Sequence, residues 1–263
     1  MATVKAVLID IDGVLTVSWR ALPGAVDAMV RLRRSGMGLR LVTNTTSRTR
    51  SWMATRLSAQ GFPVHPEDIL TAPGLTARYL QETYPGARCL VLNSGDLSND
   101  LSGITLVGPD APEVDVVVLG GAGPEFSYQT MNRVFTHLMR GAALVAMNRN
   151  HYWATDHGLM LDTGTFLAGL EQASGRRATM TGKPAATFFT SAMAHLDAEP
   201  ASTLMIGDDV DSDVVAAQEV GITGVLVRTG KYLPKDQERA SLRPAHVVDS
   251  FADLPTLVEK LNA

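Results

Sequence analysis

The chain is poor in cysteine and aromatic residues and has no large excess of either charge. Its 263 residues include one cysteine, Cys89, which excludes an internal disulfide and argues against a structural zinc site. Lys and Arg number 23 against 27 Asp and Glu, a net charge of −4 that argues against binding to nucleic acid. No apolar run reaches the ~20 residues of a membrane-spanning helix. The amino terminus turns acidic too early for a signal peptide, so we expect a soluble, cytoplasmic protein.

The remaining composition is that of a globular protein with a large core. Hydrophobic residues make up 45% of the chain and charged residues 19%, which excludes a disordered protein. The apolar run at residues 4–9 is typical of a strand covered on both faces, and residues 39–43 and 203–206 are also predicted to be strands. Stretches with helical spacing, such as residues 23–34, lie between these runs. The alternation predicts an α/β fold with a parallel sheet.

The chemistry-bearing motifs are confined to the two ends of the chain. We predict that residues 1–74 and 176–263 form a catalytic core domain. Residues 75–175 contain strands and helices of their own. They are predicted to form a second α/β domain that is inserted into the first.

Four of the predicted strands end in polar groups suited to one task. These groups are Asp10 and Asp12; Thr43, Asn44 and Thr45; Lys183; and Asp208, with Asp209 and Asp213 just beyond it. In an open parallel sheet, ligands bind beyond the carboxyl ends of the strands, so we expect the four groups to meet there.

The carboxylates in this set suit phosphoryl transfer. A carboxylate such as Asp10 can attack phosphorus and form an aspartyl-phosphate. Two negative charges 4 Å apart repel by ~4 kcal/mol at an effective dielectric of 20, so a cation must offset the repulsion. Mg²⁺ is usually held by one or two carboxylates, and Asp10 and Asp208 are the candidates. Asp12 is placed to protonate the leaving oxygen and then to deprotonate water.

Each motif taken alone has a simpler interpretation. Aspartates at strand ends are common in turns, and Thr-Asn pairs, Thr45 and Asp209 could cap the helices that come next. The glycine-rich stretch 120–124 lacks the Lys-Ser/Thr of a phosphate-binding P-loop and is interpreted as a turn. The occurrence of all four polar groups in order favours the catalytic interpretation.

The motifs DIDGV, TNT, GKP and GDDVDSD resemble, in this order, the four motifs of the haloacid dehalogenase superfamily. The insertion between the second and third motifs resembles the C2 cap of the NagD-like subfamily. The resemblance implies a Rossmann-like core with an inserted α/β cap and a Mg²⁺-dependent phosphatase. Some members of this subfamily carry Ser where this chain has Asp12, so the resemblance says little about the substrate.

The same resemblance implies a role for each motif residue. Asp10 corresponds to the nucleophile and a metal ligand, and Asp12 to the acid/base, whose backbone carbonyl also binds the metal. Thr43, Asn44, Thr45 and Lys183 correspond to phosphate-binding residues, and Lys183 also serves catalysis. Asp208 corresponds to a direct metal ligand, while Asp213 would lie behind the ligands and orient metal-bound water. Asp209 would either lie behind the ligands as well or cap the next helix.

The inserted segment offers candidates for recognising the leaving group. Arg149, His151 and Tyr152, with Trp153 beside them, lie in a stretch rich in side chains that stack or form hydrogen bonds. They could instead pack the cap or a subunit contact. The resemblance also favours a homodimer formed through the cap.

The predicted function is hydrolysis of small phosphorylated metabolites with Mg²⁺ through an aspartyl-phosphate. Two alternatives are a phosphotransferase of the same superfamily and a phospho-receiver-like signalling module. A receiver module needs only about 120 residues in one small domain, so the length and motif order argue against it.

Overall fold

The computed structural model describes residues 3–155 and 158–263. The strands in these residues are β1 (Ala6–Asp10), β2 (Thr16–Val17), β3 (Arg20–Ala21), β4 (Gly38–Thr43), β5 (Ile69–Thr71), β6 (Arg88–Leu92), β7 (Thr105–Leu106), β8 (Val116–Leu119), β9 (Ala143–Ala146), β10 (Tyr152–Thr155), β11 (Gly158–Leu161), β12 (Thr179–Met180), β13 (Thr203–Gly207), β14 (Thr223–Val227) and β15 (His246–Val248). The α-helices are α1 (Ala25–Arg34), α2 (Arg50–Ala59), α3 (Ala72–Thr83), α4 (Tyr128–Met139), α5 (Thr163–Ser174), α6 (Ala186–Ala194), α7 (Ala216–Glu219), α8 (Pro234–Arg239) and α9 (Leu254–Leu261). Within the described ranges, no helix is long and apolar enough to cross a membrane.

Contacts between residues divide the chain into two compact units. The first unit contains the residues up to Thr43, Arg50–Leu70 and Lys183–Ala263. Its sheet has the strand order β15-β14-β13-β1-β4-β5. The central strand β1 pairs in parallel with β13 on one side and β4 on the other, so the strand ends that carry polar groups lie at the same edge.

The core of the first unit explains why its central strands are apolar throughout. Every residue of β1 is buried, and Val7 and Ile9 pack in one cluster with Met29 and Leu32 of α1 and Val258 of α9. Burying each such side chain contributes about 1.5–3 kcal/mol relative to leaving it in water. Helices cover the sheet, as expected for parallel strands, and the predicted α/β class is confirmed.

The second unit comprises Asn44–Thr49 and Thr71–Gly182. Its sheet has the order β12-β9-β8-β6-β7, and neighbouring strands run parallel. Strands β10 and β11 form a separate antiparallel hairpin. Polar side chains cap its helices: Ser127 accepts a hydrogen bond from the backbone of α4, and Asp162 does so for α5.

Several elements differ from the sequence expectations. The units divide after Leu70 and Gly182, whereas the sequence suggested boundaries after residues 74 and 175. The helix expected at residues 47–60 begins only at Arg50, because the residues before it form a loop that packs in the second unit. Helix α6 (sequence ATFFTSAMA) was not predicted, since its exposed face carries alanine and threonine and no charged residue, which leaves little contrast between its two faces.

Candidate active site

The side chain of Lys183 lies buried between two carboxylates. Its Nζ donates a hydrogen bond to Asp10 Oδ1 at 2.5 Å and lies 2.6 Å from Asp213 Oδ1. Asp10 ends β1, Lys183 comes after β12, and Asp213 lies in the helical segment Val210–Val215. Lys183 is 4% exposed and Asp213 is 1% exposed, so these charges stabilise one another in place of water.

Burial and the mutual charges of Lys183, Asp10 and Asp213 shift the pKa values of these side chains. Burial lowers the pKa of Lys183, but the carboxylates of Asp10 and Asp213 outweigh burial and hold that pKa above its usual range. Burial raises the pKa of Asp10, while Lys183 opposes the rise. Lys183 is therefore an ammonium ion at neutral pH and favours the ionised form of Asp10, as a carboxylate nucleophile requires.

Asp208 comes directly after β13 and is held between two glycine turns. Its Oδ2 accepts a hydrogen bond from the backbone N–H of Lys231 at 2.7 Å. Gly13 has φ +87° and Gly230 has φ +63°, conformations that favour glycine. A Cβ on Gly13 or Gly230 would lie only 1.9 or 2.0 Å from Asp208 Oδ2. Both turns therefore need glycine, and together they fix the Asp208 carboxylate.

Three carboxylates form a cluster that could hold a metal ion. Asp10, Asp208 and Asp213 each offer an oxygen, and these oxygens lie within 4.8 Å of one another. Burial, reinforced by the charges of Asp10 and Asp213, raises the pKa of Asp208 to about 8. Burial also raises the pKa of Asp213 to about 7, against the opposing charge of Lys183. Crowded, buried carboxylate oxygens suit a hard divalent cation such as Mg²⁺, so the donor set fits the predicted ion.

Asp12 lies in the turn that leaves β1. The turn is closed by a hydrogen bond from Gly13 N–H to Thr16 O at 2.7 Å, and the Asp12 side chain is exposed. Desolvation by its surroundings raises the pKa of Asp12, while Lys231 opposes the rise. A carboxyl group that holds its proton more tightly than usual is suited to general acid catalysis.

Asp209, whose role the sequence left open, caps the helical segment Val210–Val215. Its Oδ1 accepts hydrogen bonds from the N–H groups of Asp211 at 3.2 Å and Ser212 at 3.0 Å. Its Oδ2 lies 3.9 Å from Lys231 Nζ. Asp209 therefore positions the segment that carries Asp213.

The second motif straddles the division of the chain. Thr43 ends β4 and is buried in the first unit, whereas Asn44 and Thr45 group with the second. In the second unit, a Cβ added to Gly182 would lie 2.7 Å from Asn44 Oδ1. Asn44 is thus adjacent to the residue that precedes Lys183.

Sequence reasoning missed one charged residue of the site, Lys231. Partial desolvation lowers the pKa of Lys231, but nearby carboxylates, Asp209 first and Asp208 next, outweigh that effect and raise the pKa. Lys231 lies shortly after β14, the neighbour of β13 in the sheet. The other site residues were found by inspecting the polar groups at the carboxyl end of each apolar strand, and the same rule applied to β14 would have found Lys231.

The candidates for leaving-group recognition lie in different surroundings. Arg149 forms two hydrogen bonds with the carboxylate of Glu171, at 2.8 and 2.9 Å, and its charge is thereby paired. His151 and Tyr152 are exposed, and Tyr152 opens the hairpin β10–β11. The side chain of Trp153 lies outside the described residues.

Two segments of the chain match protein families of haloacid dehalogenase-like hydrolases. Residues 7–106 match the haloacid dehalogenase-like hydrolase family, and residues 180–254 match a HAD-hydrolase-like family. Human haloacid dehalogenase-like hydrolase domain-containing protein 2 is 38% identical over 247 residues, covering 94% of this chain and 93% of that protein. Phospholysine phosphohistidine inorganic pyrophosphate phosphatase of Xenopus laevis is 36% identical over 256 residues, covering 95% and 92%.

Solved structures agree with this assignment. The p-nitrophenyl phosphatase from Archaeoglobus fulgidus is 27% identical, with a TM-score of 0.89 over 97% of this chain and 99% of that one. NagD from E. coli K-12 is also 27% identical, with a TM-score of 0.84 over 95% and 98%. The fold, the ordered motifs and these relatives agree: the chain belongs to the haloacid dehalogenase-like hydrolases, in their NagD-like subfamily, and is an enzyme of the phosphatase class.

Proposed function

We propose that this enzyme hydrolyses small phosphorylated metabolites through an aspartyl-phosphate on Asp10, with Mg²⁺ as cofactor. The observation that carries the proposal is the buried group of Asp10, Asp208 and Asp213 with Lys183 between two of the carboxylates. The names of the phosphatase relatives support the reaction class.

Asp10, Asp208 and the backbone carbonyl of Asp12 would hold the ion, with Asp213 and Asp209 behind them. When bound, Mg²⁺ offsets the repulsion between the carboxylates and the phosphoryl oxygens. Lys183 contributes a fixed positive charge next to the attacking carboxylate, in a buried setting where charge interactions are strong. Thr43, Asn44, Thr45 and Lys183 are proposed to bind the phosphoryl oxygens.

The reaction takes two displacements at phosphorus. An oxygen of Asp10 attacks phosphorus, the bond to the leaving oxygen breaks, and Asp12 gives that oxygen its proton. Water then attacks the phosphorus of the aspartyl-phosphate, and the Asp12 carboxylate takes a proton from the water. The bond to Asp10 breaks, which releases inorganic phosphate and restores both carboxyl groups.

Recognition of the leaving group is assigned to the inserted segment. Because Arg149 is bound to Glu171, its contribution includes holding the backbone that leads to His151 and Tyr152. These two exposed side chains are suited to contact a ligand directly.

Replacement of the nucleophile tests the proposal. We expect Asp10→Asn to lower turnover of p-nitrophenyl phosphate by roughly 10³-fold or more, as the loss of a covalent nucleophile does. Asp27→Asn, an exposed aspartate on α1, is the matched control and keeps full activity. Circular dichroism shows whether the fold is retained. Near-normal turnover by folded Asp10→Asn would exclude Asp10 as the nucleophile.

The stereochemistry at phosphorus tests the covalent step separately. Two in-line displacements give net retention when an isotopically chiral phosphate ester is hydrolysed. Net inversion would show direct attack by water and would contradict the aspartyl-phosphate.

A further inference from the structure

The loop Asn44–Thr49, which carries two of the proposed phosphate-binding residues, is held by an asparagine of the second unit. Asn93 Nδ2 donates a hydrogen bond to the backbone oxygen of Thr46 at 3.1 Å and another to the oxygen of Gly95 at 3.2 Å. Asn93 Oδ1 accepts a hydrogen bond from Gly121 N–H at 2.7 Å. One amide group thus ties the loop to two other backbone segments.

The two segments approach the loop so closely that neither has room for a side chain. A Cβ on Gly95 would lie 2.6 Å from Ser47 Cα and 2.8 Å from Ser47 O. A Cβ on Gly121 would lie 2.4 Å from Thr46 Oγ1. Thr46 is 5% exposed and has little space to move away. We call Asn93, Gly95 and Gly121 the loop support.

The loop support occupies the carboxyl ends of two strands in the second sheet. Asn93 comes directly after β6, and Gly121 lies in the glycine-rich stretch after β8. That stretch is interpreted from sequence as a simple turn, because it lacks the residues of a nucleotide-binding loop. Its backbone packs against the loop that begins after Thr43, so it does more than reverse the chain.

We propose that Asn93, Gly95 and Gly121 are positioning residues that set the place of Asn44 and Thr45 for phosphate binding. This inference rests on the proposed function, because it takes the second motif as the phosphate-binding loop. Asn44 and Thr45 belong to the same short loop as Thr46, so the loop support acts on them through the backbone of that loop. Displacement of a binding group by about 1 Å can reduce a rate about 10²-fold, so the support matters without touching the substrate.

Two substitutions disturb the loop support in different ways. Asn93→Asp keeps an acceptor for Gly121 N–H but loses the donor to Thr46 O and places a negative charge beside that oxygen. Gly121→Ala drives a methyl group into Thr46 Oγ1. Removing that hydroxyl should relieve the clash, because Thr46 Cβ would remain 3.7 Å from the new methyl group, an ordinary contact distance.

The readouts are KM and kcat for p-nitrophenyl phosphate, Ki for inorganic phosphate and the Mg²⁺ concentration for half-maximal activity. We expect both single variants to raise KM and the Ki of phosphate by about tenfold or more, since misplaced groups bind the anion poorly. The Mg²⁺ requirement should not change, because the proposed ligands belong to the first unit. Thr46→Ala combined with Gly121→Ala should recover most of the phosphate affinity.

Matched controls come from the same unit. Asn132→Asp changes an exposed asparagine on α4 that also donates to a backbone oxygen, that of Tyr128 at 2.7 Å. Gly169→Ala adds a methyl group in α5 where nothing lies within 4 Å. Both should keep wild-type KM and Ki.

The outcomes separate this inference from the proposed function. Unchanged phosphate Ki in folded Asn93→Asp and Gly121→Ala, with an active wild type, would overturn the inference alone. A lower melting temperature with unchanged Ki would mean a purely structural role and would also overturn it. A wild type that neither hydrolyses phosphate esters nor binds phosphate would overturn the proposed function and this inference with it.

Discussion

The two units of the chain share an architecture but differ in the residues at the ends of their strands. In the first unit, the buried carboxylates Asp10 and Asp208 lie at the ends of β1 and β13. In the second, the neutral amide of Asn93 comes after β6, and Gly120 and Gly121 come after β8. The central strands of both sheets run parallel, so both sheets offer an edge where such residues meet.

The comparison shows that the carboxyl ends of the strands set where functional residues lie, whereas the types of residue found there determine the chemistry. Around Lys183 the groups are charged, buried and shifted in pKa, so each depends on its partners. Around Asn93 the groups are neutral and joined by hydrogen bonds, each worth about 1 kcal/mol in net stability. The first arrangement suits the proposed metal binding and attack on phosphorus, whereas the second suits the proposed support of a loop.

The largest effect is expected when the buried ammonium group of Lys183 is removed. Lys183→Met leaves Asp10 and Asp213 buried without their shared partner, and breaking a buried ion pair in this way costs about 3–5 kcal/mol. We expect the melting temperature to fall by several degrees at neutral pH and activity to be lost. Lys235→Met, at an exposed position on α8, is the control for removing a lysine. A Lys183→Met variant as stable as wild type would show that the two carboxylates do not depend on the ammonium group.

The second-largest effect is expected at Asp208, where one substitution should weaken the response to Mg²⁺ but stabilise the metal-free protein. Asp208→Asn should raise the Mg²⁺ concentration for half-maximal activity by about 10–100-fold or more, since even residues behind a metal ligand have effects of that size. Without Mg²⁺, the same variant should melt at a higher temperature than wild type at neutral pH, because it removes a buried group whose ionisation is opposed by burial and by the two other carboxylates. A calorimetric melt in chelator and an Mg²⁺ titration of activity measure the two effects. A variant that melts lower in chelator would contradict the repulsion.

The stability of the metal-free protein should depend on pH in a defined direction. The pKa of Asp208 is about 8 and that of Asp213 about 7 in the folded protein, against 3.8 for an unperturbed Asp. The folded state therefore binds more protons than the unfolded chain between these values, and the free energy of unfolding falls as pH rises through them. We expect the melting temperature in chelator to fall from about pH 6 to about pH 8 and Mg²⁺ to restore more of it at the higher pH. A melting temperature that rises over this range in wild type would contradict the prediction.

The smallest effect is expected at Lys231, which lies at the rim of the charged cluster. Its positive charge lowers the pKa of Asp12, so Lys231→Gln should raise that pKa. The acid role proposed for Asp12 requires its protonated form, and the alkaline limb of the activity profile should therefore move to higher pH. Arg228→Gln, whose residue pairs with Asp249 nearby, is the control. An unchanged pH profile for Lys231→Gln would separate Lys231 from Asp12.

Residues at the ends of apolar strands were predictable from sequence because strand direction and burial leave a clear pattern. Asp10 and Asp208 each lie at the end of such a run, and the structure brings them within reach of one ion. Asp213 was predicted to lie behind the ligands, and one of its carboxylate oxygens lies within 4.8 Å of those of Asp10 and Asp208. That detail depends on the wide helical turn Val210–Val215, which no periodicity in the sequence reveals.

Contacts between residues far apart in sequence were beyond prediction. Nothing in the sequence pairs Arg149 with Glu171 or places Gly121 against Thr46. Such contacts depend on side-chain and backbone distances that only the folded chain sets. Helix α6 was missed for a different reason: its buried face carries Phe188, Phe189 and Met193, but its exposed face carries only alanine and threonine, so no charged side chain marks it.

Gly13 and Gly230 limit how this enzyme can be redesigned. Each holds the Asp208 carboxylate by having no side chain, and any larger residue would occupy the space of its oxygen. Libraries that aim to widen the substrate range should therefore leave both positions unaltered and vary exposed residues such as His151 and Tyr152. A library that does randomise them is expected to return glycine at both sites among its active members.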